Sequence, residues 1–333
     1  MSEPVRVAVV GLGWWGNVLA DSAERSKMGT VVSCYARSAE SRKKFADARG
    51  CREATTLDAL LDDDEVEAVL VATPHRTHRE MVVAAAEAGK HVFVEKPFTL
   101  TVADGYAAVQ AAEKAGVVLQ VGHFRRKTAA LRALRQLVDD DELGQLHLLE
   151  GNFSLPTSLD PKPGWREERE ERPLGGMTPL GVHVADSLRY LGGKVARVSC
   201  MSSRLLGRSR LDDVTTCGLE FESGALGQLS TSLVVPNVNS VAVFGTEGAA
   251  WSERDGERLF RQRIDEKERT EIPVQQVDAL VEQFADFASA IRHGTTPEVT
   301  GSDAIEVVAI LEAARLSADQ GRAVALSEVG WTA

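Results

Sequence analysis

At 333 residues the chain is long enough for two ordinary domains of roughly 100–200 residues each. Hydrophobic residues at 44% and charged residues at 26% fit a core-forming globular protein and exclude disordered and fibrous classes. A net charge of −11 repels nucleic-acid backbones and anionic bilayers, and no apolar run reaches the ~20 residues of a membrane helix.

The first apolar run, Val5–Val10, opens directly on Gly11. Similar runs follow at Thr30–Ala36, Ala68–Ala72, His91–Glu95 and Val117–Gly122. They are continuous rather than alternating, as strands buried on both faces are. Helix signals separate them. Thr77 and Glu80 have capping-box spacing ahead of MVVAAAEA, with Gly89 placed as the stop. Thr101 and Asp104 repeat the pattern ahead of YAAVQAAEKA, stopped by Gly116. This predicts a doubly wound parallel sheet over residues 1–123. Beyond residue 123 the rhythm changes. A helix over Thr128–Val138 precedes a strand over Leu146–Phe153, and a polar stretch, Ser154–Gly176, leads to a helix over Val182–Leu191. Strand runs then follow without intervening helices: Val195–Ser203, Thr215–Phe221, Ala225–Val235 and Ser240–Phe244, with turns at Glu222–Gly224 and Thr246–Gly248. Helices over Val277–His293 and Ser302–Gln320 close the series. Residues 124–333 therefore read as an α+β domain with a large, mostly antiparallel open sheet. Cys34, Cys51, Cys200 and Cys217 are scattered and form no CxxC, so neither a disulfide framework nor a metal site is expected. The start MSEPVRVAVVG lacks a leader pattern, and a cytoplasmic location follows as an expectation.

Gly11, Gly13 and Gly16 make a GxGxxG that follows a strand and opens a helix. The first glycine permits the tight turn, the second lets backbone N–H groups approach a pyrophosphate, and the third lets the helix sit close to the strand. The motif predicts a Rossmann-type dinucleotide domain. Trp14 and Trp15 crest the loop; one packs inside, or an indole edges the cofactor pocket. A carboxylate for the ribose 2′-OH is expected about 20 residues on. The chain has Ala36-Arg37-Ser38 there instead, with Arg42 a helical turn further. A forked guanidinium suits a 2′-phosphate, which favours NADP; Arg37 stacked on the adenine face would instead be compatible with NAD.

Val94-Glu95-Lys96-Pro97 ends the fourth run, where open α/β sheets place their ligands. With the glycine loop, Ala72-Thr73-Pro74 and His78, Gly122 and Arg126, Gly164-Trp165-Arg166, Gly175-Gly176, and Gly181-Val182-His183 with Asp186, the chain resembles the Gfo/Idh/MocA oxidoreductases over nearly its whole length. The resemblance implies a nicotinamide-dependent dehydrogenase or reductase of sugars, cyclitols or related compounds. It implies Lys96 as general acid/base with His183 as partner, Trp165 and Arg166 folding over the cofactor, and Thr73, Pro74 and His78 along the nicotinamide side. Glu95 and Pro97 join the cofactor-binding set as neighbours of Lys96. A non-catalytic dinucleotide-binding regulator and a redox-neutral enzyme with a tightly held cofactor are the alternatives. Two departures stand out. Pro179 and Phe124 occupy positions where many polyol dehydrogenases of the family have Asp and Asn. An apolar sheet face carrying Leu219, Phe221, Leu229, Leu233 and Val243 leads to an expected homodimer or homotetramer.

Overall fold

The computed structural model describes residues 3–161 and 164–332. They divide into two compact units, one running up to Phe124 and including Asp278–Ile305, the other comprising Arg125–Val277 with the segment from Glu306 onward.

The first unit is built on β1 (Val5–Val10), β2 (Gly29–Tyr35), β3 (Arg52–Glu53), β4 (Ala68–Val71), β5 (His91–Val94) and β6 (Leu119–Val121). Their order is β3-β2-β1-β4-β5-β6, all parallel. The central strands are apolar on both faces because helices cover both: every residue of β1 but Arg6, and all of β4, is buried. The connecting helices are α1 (Trp14–Ser26), α2 (Ala39–Arg49), α3 (Leu57–Leu61), α4 (His78–Glu87) and α5 (Val102–Ala115). Thr101 caps α5 by accepting the Asp104 N–H at 3.2 Å, and Gly116 ends it in the left-handed region at φ 67°. The expected box at Thr77 does not form. A 3-10 turn, His75–Thr77, precedes α4, and the Thr77 hydroxyl donates to Pro74 O at 2.7 Å. The chain winds away from β1 in opposite directions to β2 and β4, which makes the carboxyl ends of β1 and β4 a topological switch point.

The second unit contains α6 (Ala129–Asp139), β7 (Leu146–Ser154), α7 (Gly181–Gly192), β8 (Val195–Ser203), β9 (Val214–Phe221), β10 (Leu226–Ser232), β11 (Val238–Gly245), β12 (Gly248–Glu253), β13 (Arg258–Arg263) and β14 (Thr270–Ile272). After α8 (Ala279–His293), which belongs to the first unit, α9 (Gly301–Gln320) leads to β15 (Val324–Ala325). The nine strands run β14-β13-β12-β11-β7-β10-β9-β8-β15, antiparallel except for β7 with β10. The expectation of one unbroken domain over 124–333 is corrected: α8 packs on α1 and places Phe287 against Phe93 at 5.7 Å between ring centroids. Its apolar side therefore completes the core of the first sheet. The turn expected at Thr246–Gly248 is there: Thr246 and Glu247 link β11 to the antiparallel β12, which Gly248 opens.

Helix α7 lies on β7, β10 and β11. It approaches so closely that a Cβ on Gly151 would stand 2.2 Å from Val184 Cγ1. Leu219, Phe221, Leu229, Leu233 and Val243, expected on the uncovered face, are at most 3% exposed. Strand parity explains the correction. They share the side of Gly151 and Val241 that the helices cover, whereas the uncovered side carries Leu148, Leu226, Phe244 and Trp251 in neighbouring register, with Met201 further along. Leu226 is 56% and Met201 73% exposed. Among the described residues no helix is long and apolar enough to cross a membrane.

Candidate active site

At the carboxyl end of β1 the glycine loop has the shape its sequence requires. Gly11 has φ 94°, and a Cβ there would meet Ala72 O at 2.5 Å; one on Gly16 would meet Gly11 O at 2.0 Å. Gly13, the residue before α1, has nothing within 4 Å of its missing Cβ. The first and third glycines are thus demanded by the fold, and the second leaves an open approach to the start of a 13-residue helix. That cradle fits a dinucleotide pyrophosphate.

At the end of β2 the three predicted residues separate. The Ser38 hydroxyl caps α2, accepting the Ser41 N–H at 3.2 Å. The Arg42 guanidinium donates to Ala36 O at 2.8 Å and Arg37 O at 3.3 Å, and its Nε lies 3.8 Å from a Glu53 carboxylate oxygen. Arg42 therefore braces the strand end. Arg37 contributes its carbonyl to this brace and keeps its exposed guanidinium for other partners.

Lys96 follows β5 on a turn whose Lys96–Pro97 peptide is cis, and is 8% exposed. Its Nζ lies 5.4 Å from the centroid of Trp15, which packs edge-on against Trp14 at 4.6 Å and against Phe124 at 6.2 Å. Trp14 is 66% exposed. Glu95 is sealed from the surface. Its Oε2 accepts the Lys96 N–H at 3.3 Å, its Oε1 has no hydrogen-bond partner among the described residues, and burial pushes its carboxyl up to about 7 against the pull of the Lys96 charge. His78 is fully buried, with Nδ1 2.9 Å from Pro97 O and Nε2 3.0 Å from Thr73 O. It ties the turn after β4 to the turn after β5. Glu95 and His78, expected as cofactor contacts, are thus interior supports of the Lys96 turn, and Thr73 and Pro74 belong to the adjoining turn.

In the second unit His183 is the third residue of α7, 4% exposed, with its ring 5.9 Å from Phe153. One turn further, Asp186 receives a forked pair from Arg126, with Nη2 to Oδ1 at 2.6 Å and Nε to Oδ2 at 3.0 Å. Both side chains are almost wholly buried, and the guanidinium lies 5.2 Å from the Tyr190 ring centroid. Trp165 and Arg166 form a short 3-10 turn with the guanidinium 4.3 Å over the indole. Sequence reasoning picked out Asp186 and Arg126 only as landmarks. Their pairing, across 60 residues, has no local signal.

The fold and the glycine cradle define a two-unit, dinucleotide-binding oxidoreductase. Residues 5–123 match the family model for the oxidoreductase family with an NAD-binding Rossmann fold, and 131–251 match the GFO/IDH/MocA C-terminal domain. The chain is 31% identical to 1,5-anhydro-D-fructose reductase of Ensifer adhaerens, covering 85% of this chain and 87% of that protein. It is 29% identical to myo-inositol 2-dehydrogenase of Thermotoga maritima over 98% and 99% of the two chains. A crystal structure reported as an NADPH-dependent oxidoreductase from Desulfitobacterium hafniense superposes with a TM-score of 0.94 at 30% identity, covering 99% of each chain. GenD2 of gentamicin A biosynthesis, solved with NAD, gives a TM-score of 0.86 at 28% identity over 98% and 97%. The chain belongs to the Gfo/Idh/MocA family and is an NAD(P)-dependent oxidoreductase.

Proposed function

We propose that this enzyme moves a hydride between nicotinamide C4 and a hydroxyl or carbonyl carbon of a sugar, cyclitol or related compound. Lys96 is the general acid/base and His183 its partner. The observation that carries the reading is Lys96 itself, a nearly buried lysine on the turn at the carboxyl end of β5, in the unit that holds the glycine cradle. Gly11, Gly13 and Gly16 would hold the pyrophosphate, and Thr73 and Pro74 border the nicotinamide end. Trp165 and Arg166 take part in cofactor binding. When bound, the nicotinamide donates or accepts the hydride. Lys96 manages the accompanying charge: as a carbonyl oxygen gains negative charge its ammonium delivers a proton, and in the reverse direction its neutral amine removes one. The low exposure of the site excludes water and sharpens that transfer.

Arg37 supports a preference for NADP over NAD, because its guanidinium remains available at the strand end where a 2′-phosphate is recognised. The sugar-directed reductases and dehydrogenases among the relatives support the substrate class. The uncovered face bearing Leu226 and Met201 supports a homodimer or homotetramer, with the protein working in the cytoplasm. A panel of sugars, inositols and their keto forms, run with each cofactor, identifies the substrate. On that substrate Lys96→Met lowers kcat by about 10²–10⁴-fold and leaves NADP(H) affinity unchanged. Turnover near that of the wild type would remove Lys96 from the mechanism.

A further inference from the structure

Neither phosphate binding nor core packing calls for an aromatic cluster beside Lys96. Trp15 sits in the first turn of α1, where the pyrophosphate reading asks only for backbone N–H groups, yet its ring faces Lys96 Nζ at 5.4 Å. Two further rings steady it. Trp14 meets it edge-on at an interplanar angle of 73°, and Phe124 packs against it at 48°. Titratable groups around the turn include Glu95, next in the chain and buried; His78 of α4, bonded to Pro97 O; and His123, buried beside Gly122, which itself lies against Glu95. An ammonium withdrawn from water loses hydration, and the negative face of an indole returns part of that attraction to the charged form alone. A neutral amine gains nothing comparable.

We propose that Trp15 is a positioning residue for Lys96: its ring face seats the ammonium and raises the pH at which Lys96 releases its proton, with Trp14 and Phe124 holding the ring in place. The inference rests on the reading of Lys96 as general acid/base, but its test does not require turnover. Acetic anhydride labelling of the full-length protein across pH, read at the Lys96 peptide by mass spectrometry, gives the midpoint of Lys96 directly. Trp15→Leu is expected to lower that midpoint by about half to one and a half pH units. Trp15→Tyr and Trp15→Phe should retain part of the effect, since ring-face attraction is strongest for Trp. The limb of the kcat/KM profile that reports Lys96 should move in the same direction. If Trp15→Leu does not fold, the Tyr and Phe variants carry the test, because their midpoints must both fall below that of the wild type. An unchanged midpoint in any folded variant, or equal shifts in Leu and Phe, overturns the proposal, the second outcome indicating lost packing. Full turnover in Lys96→Met would instead overturn the catalytic reading and leave the labelling result intact.

Discussion

Gly13→Ala separates cofactor binding from folding. Gly13 has φ −74° and ψ −163°, extended backbone open to any residue, and its added methyl meets nothing within 4 Å. The folded protein should lose no stability, and a less flexible unfolded chain should raise it by about 0.4–1 kcal/mol. The same methyl stands in the space through which a pyrophosphate approaches the start of α1. Displacing one charge-assisted backbone contact costs about 1.5–3 kcal/mol, which weakens Kd for NAD(P)(H) by roughly 10–150-fold. Gly16→Ala is the control. Its Cβ would fall 2.0 Å from Gly11 O, backbone against backbone, so it should lower Tm before any question of binding arises. Calorimetric titration of both cofactors and thermal melting of both variants provide the comparison. A Gly13→Ala protein that binds cofactor like the wild type, or that melts several degrees early, refutes the assignment of the second glycine to phosphate approach.

Arg37→Ala should weaken NADP(H) by about 1–3 kcal/mol and leave NAD(H) nearly untouched; equal losses for both cofactors would assign Arg37 to the adenine face. Leu226→Asp, on the uncovered side of the second sheet, should shift the mass seen by light scattering toward the monomer, and a wild type already monomeric at micromolar concentration removes the oligomer proposal. Glu67 accepts from Arg292 at 2.8 and 2.9 Å, and this guanidinium holds its carboxyl down at about 2, below the ordinary 4.5. A depressed folded value stabilises above the unfolded one, so this contribution is full above pH ~4.5 and lost as pH falls toward 2. Glu67→Gln should therefore flatten the acid limb of stability measured by urea unfolding between those limits, and an unaltered limb would show that the pair adds nothing.

The first sheet was legible because each of its signals is local. A strand buried on both faces is a run of apolar residues, and Thr101 and Gly116 mark a helix by stereochemistry confined to one turn. What escaped was long-range. Arg126 finds Asp186, and Cys200 is the register partner of Cys217, through sheet and helix packing that no spacing announces. The side of the second sheet taken by the helices has no sequence signal, because alternation distinguishes two faces without saying which is covered. Among the site residues, Gly11, Gly16 and Lys96 lie where the motifs put them. Ser38, Arg42, His78 and Glu95 have the right addresses but are engaged in capping, bracing or buried support, since a side chain's hydrogen bonds depend on neighbours brought together from other segments.

The membership of Asp278–Ile305 in the first unit bears on how the chain is made. The N-terminal 124 residues leave the ribosome first, yet the ring of Phe284 packs over Gly29, Phe287 meets Phe93, and Val121 N–H donates to Val299 O at 3.3 Å. Those partners arrive only after the whole strand-rich segment Arg125–Val277 has been synthesised. The nucleotide unit must therefore wait, its α1 and β5 surfaces still bare, until synthesis has passed Ile305. A fragment cut at the motif boundary near residue 123 would be held permanently in that unfinished state.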